Sequence, residues 1–194
     1  MAYATLADLH SYLGIPTATT TDDALITSLI ARSQAIIDRY CDRTFEASAD
    51  TTRYFTIGQD TDGGTLYPDQ DLSAITSITN GDGTTVTSLQ YTTLPKNGTP
   101  YSAIKLLGST GLYWAHTDDS DPQDAIAITG KWAYSTTAPA DVVAACVRLA
   151  AYLYRQKDNA GDLDRAVIAG NATILPAEIP PDIRMILRPL RRLS

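Results

Sequence analysis

The sequence predicts an α+β fold, an antiparallel helical core built from both chain ends with an inserted antiparallel β-lobe. Three observations carry this. Residues 5–42 and 139–158 place apolar side chains at helical period. Residues 45–139 are instead rich in Thr and Gly, with short alternating runs of the kind that form strands between turns. The chain has 194 residues, 44% of them hydrophobic, which is enough for one domain with an inserted lobe. A folded chain of this length buries roughly 70% of its extended surface, so it needs no disulfide or metal to hold it together.

The first helix is expected at 5–13. Thr5 can cap it, Asp8 stands three positions later, and Leu6, Leu9 and Leu13 share a face before Gly14 and Pro16 end it. A Thr-rich linker leads to Asp22 and Asp23, two acids suited to the positive end of a helix. Leu25, Leu29, Ile36 and Tyr40, backed by Ile26, Ile30 and Ile37, then keep helical period to about Asp42.

Strands are expected at 53–57, 74–79, 84–89, 103–107 and 125–134. Asn80-Gly81-Asp82-Gly83 lies between two of them and reads as a hairpin turn, because Asn and Gly tolerate positive φ. Pro139 opens a second long helix, where its missing N–H costs little, with Val142, Val143, Cys146, Leu149, Ala150 and Leu153 as its stripe. A polar stretch from Asn159 to Gly170 follows. The prolines of Leu175-Pro176 and Pro180-Pro181 then precede a short helix from Asp182 to Arg188 or beyond. The expected organisation is therefore 1–45 and 139–194 as helical core and 46–138 as the inserted lobe.

The charge excludes several classes of protein. There are 22 acids and 15 bases, a net charge of −7, and a chain this acidic is poorly suited to wrapping nucleic acid. The charge is also polarised: residues 1–140 hold 16 acids and 7 bases, residues 141–194 hold 6 and 8. No uncharged stretch reaches the ~18 apolar residues of a membrane span, and residues 1–20 have no basic n-region, so neither a transmembrane helix nor a signal peptide is expected. Cys41 and Cys146 lie in helical patterns without ligand spacing and read as small buried hydrophobes rather than a disulfide.

No chemistry converges. His10 and His116 lack second ligands and are expected in surface or loop roles. Gly108-Ser109-Thr110-Gly111 lacks the spacing of a nucleophile elbow, and Gly81 and Gly83 precede neither a helix nor Lys-Ser/Thr. Asp60-x-Asp62-Gly63-Gly64 would place Thr65 and Asp71 where an EF-hand needs Gly and Glu, so it reads as an acidic turn. Asp118-Asp119-Ser120-Asp121 reads the same way, and Asn97-Gly98-Thr99 is a sequon without a secretory context. No catalytic residue, cofactor or metal site is expected. What remains is the basic segment: Arg184, Arg188, Arg191 and Arg192 interleaved with Ile183, Ile186, Leu187, Leu190 and Leu193. Such a segment suits nucleic acid, an anionic membrane, an acidic partner surface or simply a solvated helix end. Its short length and the acidic body disfavour the membrane, and Leu187, Leu190 and Leu193 favour docking on a partner.

The order of motifs resembles the head–tail connector, or adaptor, proteins of long-tailed bacteriophages. The resemblance rests on Tyr3-Ala4-Thr5-Leu6-Ala7-Asp8 with Tyr12-Leu13-Gly14, on Asp22-Asp23-Ala24-Leu25, and on Ile36 through Phe45. It continues in Pro139-Ala140-Asp141-Val142, Leu149 through Arg155, and Ile179-Pro180-Pro181-Asp182-Ile183 to Pro189-Leu190-Arg191-Arg192. The long β-lobe departs from the smallest, nearly all-helical members. The resemblance implies a non-enzymatic virion protein, assembled in the host cytoplasm into a ring, commonly dodecameric, beneath the portal protein. Neighbouring subunits, the next neck or tail-completion protein, and DNA passing through the lumen without specific binding are its implied partners. It further implies portal docking through Ile183, Arg184, Leu187, Arg188, Leu190, Arg191 and Arg192. A stopper or tail-completion protein one storey lower is the alternative.

Overall fold

A computed structural model describes residues 2–47, 49–117, 121–157, 167–169, 172–174 and 179–192. The α+β class holds: the described residues include four α-helices and several antiparallel strand pairings. Contacts divide the chain into two units, Arg43–Thr137 and Ala2–Asp42 together with Ala138–Ser194.

The second unit is the helical one. Helix α1 (Leu6–Leu13) begins in a capping box: Thr5 accepts from the Asp8 backbone N–H at 3.1 Å, and Asp8 accepts from the Thr5 N–H at 2.7 Å. It stops at Gly14, whose φ of +70° suits a residue without a Cβ. Helix α2 (Asp23–Cys41) buries Ile26, Ile30, Ser33, Ile37 and Cys41 on one stripe, with Ile36 beside it. Leu25 lies outside that stripe and is exposed. Helix α3 (Ala140–Arg155) touches α1, α2 and α4, and it accordingly buries residues around most of its girth: Val142, Ala145, Cys146, Val147, Leu149, Ala150 and Ala151. Its alanines let neighbouring backbones approach closely, and burying Leu149 alone contributes about 1.5–3 kcal/mol. Helix α4 (Pro181–Leu187) starts with Pro at its first position and runs into a 3₁₀ turn, Arg188–Leu190. Strands β8 (Val167–Ala169) and β9 (Ala172–Ile174) form an antiparallel pair in this part of the chain.

The first unit holds two sheets. Strands β1 (Thr51–Phe55), β7 (Ile126–Lys131) and β4 (Ala74–Thr79) form one in the order β1-β7-β4. Strands β2 (Thr61–Asp62), β3 (Thr65–Leu66), β6 (Ala103–Leu106) and β5 (Tyr91–Leu94) form the other in the order β2-β3-β6-β5. Alternation on β7 turns Ile126 and Ile128 into a core with Phe55, Leu66, Ile104 and Trp132. Gly130 crosses β4 so closely that a Cβ there would overlap the Ala74 carbonyl oxygen, so glycine is a packing requirement at that position.

Several expected strands differ from those observed. The strand expected at 53–57 lies at 51–55, because the Thr56 N–H is diverted to the Asp60 carboxylate at 2.7 Å. The run 84–89 forms only a bridge from Thr85 to Thr79. Gln90 explains this: its side chain accepts from the Thr87 N–H at 2.8 Å and its own N–H reaches the Thr87 carbonyl, so a local turn replaces the ladder. The chain does reverse at Asn80–Gly83, with Gly83 at φ +83°. Most of the stretch 159–170, together with Leu175-Pro176, lies outside the described residues.

Candidate functional site

The basic segment is built from the helical unit upward. The Asp182 carboxylate, in the first turn of α4, pairs with Arg148 of α3 and ties the new helix to the old one. Spacing of four residues then sends Ile183 and Leu187 to the same side, where they are 1% and 0% exposed. The sequence reading places both on a docking face, but their apolar side chains are held by this unit's own core and are not open to a partner. Leu190 and Arg192 are half-buried, whereas Arg184, Arg188 and Arg191 are exposed together with Met185. Leu193 lies outside the described residues.

Beyond the 3₁₀ turn the chain extends and is strapped to the end of α2. The Arg192 N–H donates to the Cys41 carbonyl at 2.8 Å, and the Arg191 guanidinium lies 5.2 Å from the centre of the Tyr40 ring. A cavity of about 270 Å³, lined by Ile36, Arg39, Tyr40, Ile179 and Arg191, opens beside this strap. Among the described residues, no ion pair engages Arg184, Arg188, Arg191 or Arg192, and the nearby Asp182 is paired with Arg148. The result is an uncompensated positive edge suited to an acidic surface. Sequence reasoning missed Tyr40 and Met185. Tyr40 reads as a core position of α2, and Met185 is off the 183/187 stripe, which was the signal that it faces outward.

Elsewhere in this unit polar groups clamp helix ends. The Nζ of Lys157 donates to Asp22, which also accepts from the Tyr154 hydroxyl at 2.5 Å. These hydrogen bonds hold the Asp22 carboxyl below its ordinary pKa, and the same pairing raises the Lys157 ammonium. Burial raises Asp38 despite the hydrogen bond it accepts from Tyr3, and burial first, with Asp38 second, pushes the Cys146 thiol up to about 12. Cys41 and Cys146 are buried and not joined in a disulfide, and their burial agrees with their reading as hydrophobes.

The expected surface role of His10 does not hold. It is 4% exposed, and its Nε2 lies 2.9 Å from the Asp23 carboxylate, so it packs inside the helical unit where α1 and α2 meet. His116 is exposed in a loop. Asp60 precedes β2 and Asp62 lies within it, Asp121 lies in a loop, and Asp118 and Asp119 fall outside the described residues. Among the described residues, no three His, Cys, Asp or Glu side chains are grouped to hold a metal, and no helix is long and apolar enough to cross a membrane.

These features define an α+β protein with an acidic β unit and an exposed basic edge on its helical unit. The chain belongs to the head completion protein family, which matches residues 3–193. It is also similar in fold to a chain in a solved structure of the neck of an empty GTA particle computed with C6 symmetry. That likeness has a TM-score of 0.58 at 15% identity and covers 97% of this chain and 89% of that one. No curated protein matches the chain.

Proposed function

We propose that this chain is a structural component of a phage-like virion, the adaptor subunit that forms a ring beneath the portal, joins head to tail and extends the DNA channel. Membership of the head completion family over residues 3–193 carries the reading. The helical parts, 1–45 and 139–194, build the ring, and residues 46–138 form an inserted lobe. Arg184, Arg188, Arg191 and Arg192, with half-buried Leu190, present the edge that meets an acidic portal surface. Ile183 and Leu187 contribute by holding α4 in place. The acidic body suits a conduit: carboxylates repel phosphate, so DNA slides past without the counterion release that drives binding. The protein acts by assembly and not by catalysis, and its further partners are neighbouring copies, commonly twelve in a ring, and the next neck protein.

The test is charge reversal rather than truncation, since removing residues 181–194 would also remove core side chains. With Arg184, Arg188 and Arg191 changed to Glu, co-sedimentation with the cognate portal is expected to be lost while the far-ultraviolet spectrum stays unchanged. Undiminished binding would reject the basic edge as the docking surface. A particle map that puts the ring one storey below the portal would replace the adaptor with a stopper.

A further inference from the structure

The four-stranded sheet of the β unit has two chemically opposite edges. Its order, β2-β3-β6-β5, leaves β2 and β5 outermost. On the β5 side, residues 83–117 contain no Asp or Glu, although residues 43–137 hold 11 acids and 5 bases. Leu89 is 84% exposed, Leu94 is 41% exposed, and Lys96 stands exposed in the loop that leads to β6. This edge is aliphatic and positive.

The β2 edge is aromatic and negative. Asp62 is exposed, and Tyr67, 51% exposed, is fixed beside Asp60 by donating its N–H to the Asp60 carbonyl at 2.9 Å. The loop carrying Asp121 and Asp124 is tied to the same neighbourhood. Ile57 donates to the Pro122 carbonyl at 3.0 Å, and the Asp124 N–H reaches Thr56 Oγ1 at 3.2 Å.

Open strand edges attract other strands, and a net-negative lobe repels copies of itself over most of its surface. The acid-free edge is where one copy can approach another's carboxylates, and its leucines find an aromatic counterpart there. Two different edges on one subunit make a heterologous contact, which closes into a ring when the rotation permits. We infer that the β5 edge of one copy docks on the β2 edge of the next, with Lys96 against Asp62 and Leu94 against Tyr67. This rests on the ring reading above and gives that ring a second set of contacts, made by the β unit.

The test uses the full-length chain assembled in particles. A variant carrying both L94C and Y67C is expected to yield, on mild oxidation, a ladder of covalent multimers, whereas each single variant stays monomeric. K96D and D62K are each expected to lose incorporation into necks, and the combined swap to restore it. Dimers from a single-cysteine variant, or necks that contain the chain but give no ladder, would overturn the edge pairing and leave the neck role standing. Particles that assemble without the chain would overturn both. The buried native cysteines supply no competing thiol.

Discussion

The two units use charge in opposite ways. The helical unit, residues 2–42 and 138–194, has 11 acids and 10 bases, a net charge of −1, while residues 43–137 have 11 and 5, a net charge of −6. In the helical unit each described pair places a carboxylate at the start of a helix and ties it to another part of the unit: Asp23 beside His10, Asp22 with Lys157, Asp182 with Arg148. In the β unit Arg43 meets Asp71 and Arg53 meets Asp69, and most other described acidic residues, Asp50, Asp62, Asp82, Asp121 and Asp124, are exposed. Helix packing needs ties at particular places, whereas a β surface built from turns can carry acid wherever the chain reverses. Charge therefore serves architecture in one unit and surface potential in the other.

The largest test of this contrast is Gly130→Val. The overlap with the Ala74 carbonyl forces β4 and β7 apart, and the expected loss is about 3 kcal/mol or more, the upper end of overpacking penalties. Both tryptophans, Trp114 and Trp132, are buried in the β unit, so their fluorescence reports that unit, while ellipticity at 222 nm reports mainly the helices. In urea the fluorescence transition should move to lower concentration and the ellipticity transition should hold. Movement of both together would mean that the units unfold as one, and the contrast would not extend to stability.

Next in size is Leu187→Ala, expected to cost about 2–5 kcal/mol in the ellipticity transition because the side chain is fully enclosed. Met185→Ala, two residues away and 73% exposed, should stay within about 0.5 kcal/mol. Equal effects would contradict the inward and outward assignment of this helix.

Most helical elements were legible because their signals are local. The Thr5–Asp8 box, Gly14 and the Asp22-Asp23 start each act within one turn, and the structure places helices where they indicate. Side-chain fate was less legible. Ile183 and Leu187 present the same amphipathic pattern whether the apolar face meets a partner or the unit's own α3, and only the tertiary contact decides. His10 looked like a lone polar residue because Asp23, its partner, stands thirteen positions away on another helix. Strand β5 was missed for a different reason. Tyr91, Thr92 and Thr93 are all half-buried, so no alternation marks them, and the ladder to β6 alone defines the strand. The two-residue strands β2 and β3 are too short to carry any period.

The smallest expected effect concerns the Asp22–Tyr154–Lys157 clamp, which belongs to the helical unit alone. Asp22 has a folded pKa below its unfolded value of 3.8, so its contribution is present above that value and is lost as pH falls through the folded one. Lys157 has a folded pKa above its unfolded 10.5, so its contribution is complete below 10.5 and is lost as pH rises through the folded value. The clamp therefore weakens at both extremes and is intact in the window between pH 3.8 and 10.5. Asp22→Asn should flatten the acid limb of the melting temperature read at 222 nm, and Lys157→Met should flatten the alkaline limb. Neither should move the tryptophan transition, because the charges that stabilise helices in this protein lie outside the β unit. A shift in fluorescence of equal size would remove the division of roles between the two units.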